Sequence, residues 1–177
     1  DNQGLSPNTT LVFSPLTTAV VARFLEEGSS SVSHYLEDET QNGLEVHDAR
    51  FLVVDDNDIN LIIAGSVLEE YSATVDTVLS GEEALRKIEE RDYDMVFMDH
   101  MMPDMDGVEA AILIRKMPYE RCRTMPIVAL TANAVGDVRT MFLESGMNDF
   151  LSKPMVLKEL ERCLREWLPR EKWSNKE

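Results

Sequence analysis

Acidic, hydroxyl and cationic side chains that could act on a phosphoryl group each follow a short apolar run in this chain of 177 residues. They are Asp55-Asp56 after 51–54, Asp99 at the end of 94–99, Thr131 after 127–130 and Lys153 after 149–152. An aspartate carboxylate that attacks phosphorus needs several negative charges neutralised at once, which a hard divalent cation with oxygen ligands does best. Three acids in one cleft also destabilise one another without a cation. The set therefore predicts a metal site.

The runs that carry these residues alternate with amphipathic stretches of helical period. Strands are predicted near 50–54, 74–78, 94–98, 126–130 and 148–151, and helices near 58–70, 81–90, 107–116, 135–144 and 155–168. This alternation predicts a parallel sheet with helices on both faces. Because the carboxyl ends of parallel strands open on one edge, the polar groups should converge in one cleft. In the last helix the predicted buried face consists of Val156, Leu160, Cys163, Leu164 and Trp167, at three- and four-residue steps.

Four motifs accompany these groups: Asp55-Asp56-Asn57, Met98 to Gly107 (MDHMMPDMDG), Leu130-Thr131-Ala132 and Phe150 to Pro154 (FLSKP). With them, the segment from about Ala49 to Leu168 resembles a response-regulator receiver domain, the phosphoacceptor module of two-component signalling. The run 141–150 and the ending 165–169 further resemble the C-terminal receivers of bacterial hybrid sensor histidine kinases. The resemblance implies an α/β, flavodoxin-like, doubly wound five-stranded parallel sheet, (βα)5, with strand order 2-1-3-4-5, in a domain spanning 49–170.

The same resemblance assigns the residues of the cleft. Asp99 is the phosphoacceptor, and Mg²⁺ is held by Asp56 and Asp99 directly, by Asp55 mainly through a bound water, and by the backbone carbonyl of Met101. Lys153 is expected to pair with the carboxylate before the reaction and with a phosphoryl oxygen after it. Thr131, Lys153 and Asp99 are thus the predicted catalytic residues.

A conformational switch is implied at two further positions. The hydroxyl of Thr131 would bond the new phosphoryl oxygen and move inward, and Phe150 holds the family's switch-aromatic position, from which it would turn into the vacated space. Since Phe150 lacks the hydroxyl of tyrosine, such a switch works through packing alone. Met101 and Asn133 lie where the family sets the lifetime of the phosphoryl group. The bond before Pro154 is often cis in this family.

The function implied is that of a phosphorelay receiver. It would take a phosphoryl group from a phosphohistidine on a histidine kinase or a histidine phosphotransfer protein, with self-phosphorylation and autodephosphorylation as its own reactions. Its state would be shown to a partner through the fourth and fifth helices and the fifth strand, near 135–144, 155–168 and 148–151. A homodimer is left open.

Other functions fit the residues less well. A haloacid-dehalogenase-like phosphatase places an acid/base aspartate two residues after the nucleophile, and that position is Met101. A pseudo-receiver that binds partners without phosphorylation would normally have lost an acid or the lysine, and all are present. A receiver of a hybrid kinase is favoured over a free-standing regulator, because little sequence follows the last helix and no DNA-binding domain is found.

Composition sets the expected surroundings. The formal net charge of −16, without a cluster of Lys and Arg, argues against a nucleic-acid-binding surface. No apolar stretch approaches the roughly 20 residues that span a bilayer, so direct membrane insertion is not expected. Cys122 and Cys163 form no CxxC pair, which fits a reducing cytosol. We therefore predict a cytoplasmic domain, which a parent kinase could tether to the inner membrane.

Residues 1–48 form a separate, acidic segment that predicts a β-α appendage, with a strand over Thr10–Phe13 and a helix over Leu16–Glu27. The run 24–36 matches 67–79 at a constant offset of 43, which leaves open a truncated, degenerate receiver. Glu37–Asp48 is polar and predicts a linker, and 171–177 a C-terminal tail. What the first strand pairs with is left open.

Overall fold

A computed structural model describes residues 43–132 and 138–175 of the chain. The strands are β1 Leu44–Val46, β2 Arg50–Val54, β3 Thr74–Val78, β4 Met95–Asp99, β5 Ile127–Thr131, β6 Asp149–Ser152 and β7 Trp173–Asn175. The helices are α1 Asp58–Glu69, α2 Gly81–Glu90, α3 Gly107–Lys116, α4 Glu120–Thr124, α5 Val138–Glu144 and α6 Leu157–Trp167. The strand and helix predicted before residue 43, the internal match at 24–36 and Asn133 lie outside the described residues.

Five strands form the central sheet in the order β3-β2-β4-β5-β6, and all four pairings are parallel. Counted from β2, this is the order 2-1-3-4-5, so the predicted flavodoxin-like fold is confirmed. Every residue of β4 and β5 is buried, as expected for central strands with helices on both faces. The order of β2, β4, β5 and β6 brings the four strands that carry the candidate site next to one another.

Two apolar cores lie on opposite faces of this sheet, because side chains alternate along each strand. In β2, Phe51 and Val53 belong to the core formed with α1 and α6, whereas Leu52 and Val54 belong to the core formed with α2 and α3. The rings of Phe51 and Phe97 meet edge to face at 5.7 Å within the first core. Both faces of the sheet are therefore covered by apolar packing, and its polar groups lie at the edges.

The last helix largely follows its predicted pattern. Leu160, Cys163 and Leu164 are buried as expected, and Trp167 is half-buried. Val156 is exposed and not part of the buried face, because it is the extended N-cap residue before α6 and lies outside the helical repeat. Among the described residues, no helix combines the length and the hydrophobicity that crossing a bilayer requires.

A second, two-stranded sheet lies at the amino ends of the parallel strands. β1 pairs antiparallel with β7, with Leu44 opposite Asn175 and Val46 opposite Trp173. Leu44 and Val46 are buried in the first core, and Nζ of Lys172 lies 2.7 Å from Oδ1 of Asp94, just before β4. We call residues 44–48 and 170–175 the clasp. The sequence predicted a linker over Glu37–Asp48 and a tail over 171–177, and the structure instead forms paired strands within both.

Candidate functional site

The predicted site residues meet at the carboxyl edge of the parallel sheet. Asp55 and Asp56 follow β2 directly, Asp99 and Thr131 are the last residues of β4 and β5, and Lys153 follows β6. Asp55 is only 1% exposed and Asp99 5%, whereas Asp56 is exposed. Two carboxylates are therefore held out of water at the end of the central strands, with a third at the solvent side.

The three carboxylates form a cluster that could hold a metal ion. One oxygen from each of Asp55, Asp56 and Asp99 lies within 4.8 Å of the others. A set of hard oxygen donors fits a divalent cation such as Mg²⁺, which is usually bound through a few carboxylates and water. The backbone N–H of Met101 donates to Oδ1 of Asp99 at 3.2 Å. That bond holds the backbone after β4 close to the cluster, and the side chain of Met101 is exposed.

Lys153 bridges the two buried acids. Its Nζ lies 2.6 Å from Oδ2 of Asp55 and 2.8 Å from Oδ2 of Asp99. The backbone N–H of Lys153 donates to the carbonyl of Thr131 at 2.8 Å, and the Lys153–Pro154 bond is cis. The ammonium is thus anchored next to the end of β5 and placed between the two acids that most need a counter-charge.

Asp55 is held by α1 as well as by the lysine. Its Oδ1 accepts hydrogen bonds from the backbone N–H of Asn57 and from Nδ2 of Asn60, both at 3.0 Å. Asn57 is also the N-cap of α1, because its Oδ1 accepts the N–H of Ile59 at 2.9 Å. Asn60 was not predicted as a site residue, since a single asparagine in the first turn of a helix carries no distinguishing pattern.

The loop between β4 and α3 requires glycine where it closes on the strand end. The N–H of Gly107 donates to the carbonyl of His100 at 3.2 Å. A Cβ at this position would lie 2.2 Å from the backbone oxygen of Asp99, far inside any real contact. Asp106 caps α3 by accepting the N–H of Glu109 at 2.8 Å. The helix start therefore fixes the backbone that carries Asp99.

The two predicted switch residues lie on neighbouring strands. Thr131 is fully buried, opposite Ser152 in the ladder between β5 and β6. Phe150 lies two residues earlier on β6, is half-buried against the second core, and has the guanidinium carbon of Arg139 at 6.0 Å from its ring centre. The structure therefore places Phe150 beside α5, on the strand next to the one that ends in Thr131.

His100, which the sequence analysis did not single out for this site, also contacts it. Its Nδ1 lies 3.2 Å from the carbonyl of Leu130 and 3.9 Å from Oδ1 of Asp99. Its ring meets Phe142 of α5 edge to face, with centroids 5.6 Å apart. No sequence signal marks this role, because the hydrogen-bond acceptor is a backbone carbonyl.

Comparison with known proteins agrees with this geometry. The family described as the response regulator receiver domain matches residues 51–165. Sensor histidine kinase GacS from Pseudomonas protegens is 39% identical over 130 residues, which are 73% of this chain and 14% of GacS. The histidine-protein kinase BarA from Escherichia coli is 35% identical over 118 residues, 67% of this chain and 13% of BarA. The chain thus spans only a small part of the curated relatives it matches.

Two solved structures cover nearly the same region. One is the receiver domain of a sensor histidine kinase from Pseudomonas aeruginosa, described with a magnesium ion in its active site cleft. It has a TM-score of 0.62 and 38% sequence identity, and the alignment covers 68% of this chain and 97% of that one. The other is the Saccharomyces cerevisiae Ssk1 receiver, crystallised with the histidine phosphotransfer protein Ypd1: TM-score 0.61, 32% identity, 69% and 90% coverage. This chain belongs to the response regulator receiver domain family.

Proposed function

We propose that this receiver accepts a phosphoryl group on Asp99 from a phosphohistidine on a partner protein. The observation that carries the proposal is the position of Lys153, whose Nζ contacts both Asp55 and Asp99 beside a third carboxylate. In the reaction a carboxylate oxygen of Asp99 forms a bond to phosphorus while the bond from phosphorus to the donor imidazole breaks. The freed imidazole nitrogen keeps the electron pair and is neutralised by a proton.

The residues of the chain contribute position and charge rather than covalent chemistry. Met101 N–H holds one oxygen of Asp99, and Lys153 holds the other, so the carboxylate is oriented before a donor arrives. As negative charge moves onto the phosphoryl oxygens, the same ammonium can pair with one of them. The hydroxyl of Thr131, at the end of the adjacent strand, is proposed to donate to another.

The proposed metal ligands are the carboxylates of Asp55, Asp56 and Asp99 with the backbone carbonyl of Met101, Asp55 acting through water. Their support is the oxygen cluster within 4.8 Å and the magnesium ion described in the Pseudomonas aeruginosa receiver. A bound Mg²⁺ would offset the repulsion among the carboxylates and the incoming phosphoryl group.

The proposed output is a shift at the face formed by α5, β6 and α6. Thr131 would follow its phosphoryl contact inward, and Phe150 would change its packing on the neighbouring strand. Phe150 already lies between the second core and Arg139 of α5, which supports a link from β6 to that helix. The mechanism depends on packing, because the ring carries no hydroxyl.

We propose that the donor docks on apolar side chains around the cleft. Ile59 and Ile62, on the outer face of α1, are 62% and 67% exposed, and Met101 and Val156 are also exposed. Ile59, Met101 and Val156 each lie two or three residues after an acid or the lysine of the site. We therefore expect a protein that reaches Asp99 to cover them. The Ssk1–Ypd1 crystal supports a histidine phosphotransfer protein as the occupant.

The relatives support a hybrid histidine kinase as the parent chain, and the free cysteines suit a cytoplasmic domain.

The test of acceptance is the intact mass after incubation with acetyl phosphate and Mg²⁺. We expect one phosphoryl adduct in the wild type, and none in Asp99→Asn or in the presence of EDTA. Absence of an adduct is followed by beryllofluoride binding, which detects a site whose phosphoryl group is lost quickly. Failure of both in a folded protein would overturn the proposal in favour of a pseudo-receiver.

The docking proposal is tested with Ile62→Glu and a phosphorylated histidine phosphotransfer protein. We expect slower transfer from this protein donor and an unchanged rate with acetyl phosphate, since only the former needs the apolar surface. Ile112→Glu is the matched control, because Ile112 is an exposed isoleucine on α3, on the opposite face of the sheet. Equal loss in both variants would contradict docking on α1.

A further inference from the structure

We infer that His100 is a positioning residue that couples the state of Asp99 to helix α5, by a route separate from the Thr131–Phe150 pair. The inference rests on the proposed phosphorylation of Asp99. It is carried by the contacts of one imidazole with three parts of the molecule: the phosphoacceptor, the end of β5 and the buried face of α5.

The first contact fixes the peptide that precedes Thr131. Both the backbone N–H of His100 and its ring Nδ1 lie within reach of the carbonyl of Leu130, at 3.3 and 3.2 Å. A carbonyl oxygen can only accept, so Nδ1 must carry the proton and donate. The Leu130 carbonyl belongs to the peptide that joins Leu130 to Thr131. This peptide, next to the proposed phosphoryl ligand, is therefore held by two donors of His100, of which only the ring donor can rotate.

The second contact is electrostatic. Nδ1 lies 3.9 Å from Oδ1 of Asp99, beyond a direct hydrogen bond, while Oδ1 already accepts the N–H of Met101. Phosphorylation brings a group of about −1.5 to −2 charges to this carboxylate. The Nδ1–H of His100 then has two possible acceptors: the Leu130 carbonyl and the more negative oxygens of the phosphorylated Asp99. A small rotation of the ring toward it weakens the bond that holds the end of β5.

The third contact carries the change to a helix. The rings of His100 and Phe142 are nearly perpendicular, at 76°, with centroids 5.6 Å apart. Phe142 is fully buried on α5, so it has little room to adjust independently of its helix. Any rotation of the imidazole must be taken up by Phe142 and hence by α5. Asp99, His100 and Phe142 thus form a chain of contacts from the cleft to the helix.

The test is hydrogen exchange of the α5 amides with and without beryllofluoride and Mg²⁺, beside the mass of the acetyl phosphate adduct. In the wild type we expect loading to change the exchange rate of α5. In His100→Leu, which removes the donor, we expect the adduct to persist and the α5 response to fall by at least about twofold, the low end of measured coupling energies. His100→Asn keeps a short side-chain N–H but loses the ring that packs on Phe142, so its α5 response should also stay reduced.

Two controls separate coupling from simple loss of structure. His47→Leu removes a histidine of the clasp, whose Nε2 lies 2.8 Å from Oγ of Ser174. This variant should leave the α5 response unchanged. Phe142→Leu should weaken the response as His100→Leu does. If His100→Leu does not fold, the α5 response is measured in His100→Asn and Phe142→Leu instead. A full response in Phe142→Leu overturns the inference.

The outcomes also distinguish this inference from the proposed function. If the wild type takes no adduct and binds no beryllofluoride, phosphorylation itself is refuted. If the wild type is loaded and α5 responds equally in the wild type and His100→Leu, the phosphoacceptor proposal stands and the His100 route is wrong.

Discussion

The two ends of the parallel sheet use charge in opposite ways. At the carboxyl end, one oxygen from each of Asp55, Asp56 and Asp99 lies within 4.8 Å of the others, and the ammonium of Lys153 contacts the two buried acids of this set. At the amino end, in the clasp, Lys172 is paired with Asp94 at 2.7 Å, and Arg165 and Arg170 lie over the ring of Trp173. The cleft holds like charges together around one ammonium, whereas the clasp combines an opposite-charge pair with cations stacked on an aromatic ring.

The largest effect should separate the two lysines. Lys153→Met should slow phosphoryl acceptance from acetyl phosphate by about 100- to 1,000-fold, the usual cost of losing one preorganised charge contact. Lys172→Met should leave the rate unchanged, because its ammonium serves the clasp. The rate of adduct formation by mass spectrometry measures both. A similar loss in the two variants would show that the ends of the sheet are not independent.

The second prediction concerns metal binding. Mg²⁺ should raise the free energy of unfolding, by about 2.7 kcal/mol at a free concentration 100 times the dissociation constant. The gain comes from relief of repulsion among the carboxylates, so Asp56→Asn should reduce it sharply. Asp106→Asn should retain it, since asparagine also caps α3. Urea unfolding at matched ionic strength is the measurement, and an equal gain with Na⁺ would contradict a specific site.

The third prediction tests the clasp alone. Trp173→Ala should lower the free energy of unfolding by about 2 kcal/mol, less than for a fully buried tryptophan, because the ring is half-buried. Urea unfolding followed by circular dichroism measures the loss. Phosphoryl acceptance below the unfolding transition should stay at the wild-type level. A parallel fall in acceptance would mean that the clasp also supports the cleft.

The smallest effect is expected at Asp149, the first residue of β6. Burial alone would raise the pKa of this carboxyl, but hydrogen bonds from Arg162, the N–H of Phe150 and Trp167 together outweigh it and lower the pKa. Asp149→Asn should therefore cost about 1 kcal/mol at neutral pH. The carboxylate is favoured in the folded protein, so the difference is present above the unfolded pKa, about 4. It should shrink as the pH falls through the folded value.

Urea unfolding of both proteins between neutral pH and about pH 3 follows this trend. Glu166→Gln is the control, because Glu166 is another acid that accepts from Arg162, at 2.8 Å, but it is exposed. Its substitution should change stability little at any pH. A pH-independent cost for Asp149→Asn would assign the loss to packing rather than charge.

The central sheet was predictable because its signals are local. The strands β2, β4 and β5 are largely apolar and buried. Asp55, Asp99 and Lys153 each end or follow a strand, so the parallel topology alone brings them together. The clasp gave no such signal. Trp173-Ser-Asn175 is short and mixed in polarity, and its partner Leu44–Val46 lies at the other end of the domain.

Two further features were also beyond sequence reasoning, one outside the site and one within it. Helix α4 has five residues and no side-chain cap, and nearby Arg115 donates to the carbonyls of Cys122 and Met125 from outside the helix. His100 was not recognised as a contact of the site, because its partners are a carbonyl of β5 and a ring of α5. Both depend on which elements meet after folding rather than on a repeat along the chain.

The clasp has a mechanical consequence. The start of β1 lies beside the end of β7, so the chain enters and leaves the domain at neighbouring points. While that ladder is intact, rearrangements at the far edge of the sheet leave the distance between these two points unchanged. Opposed tension on the two ends would open the ladder one residue pair at a time, beginning with Leu44 and Asn175, before it loads the cleft. The clasp thus acts as a mechanical buffer between the two chain ends and the cleft.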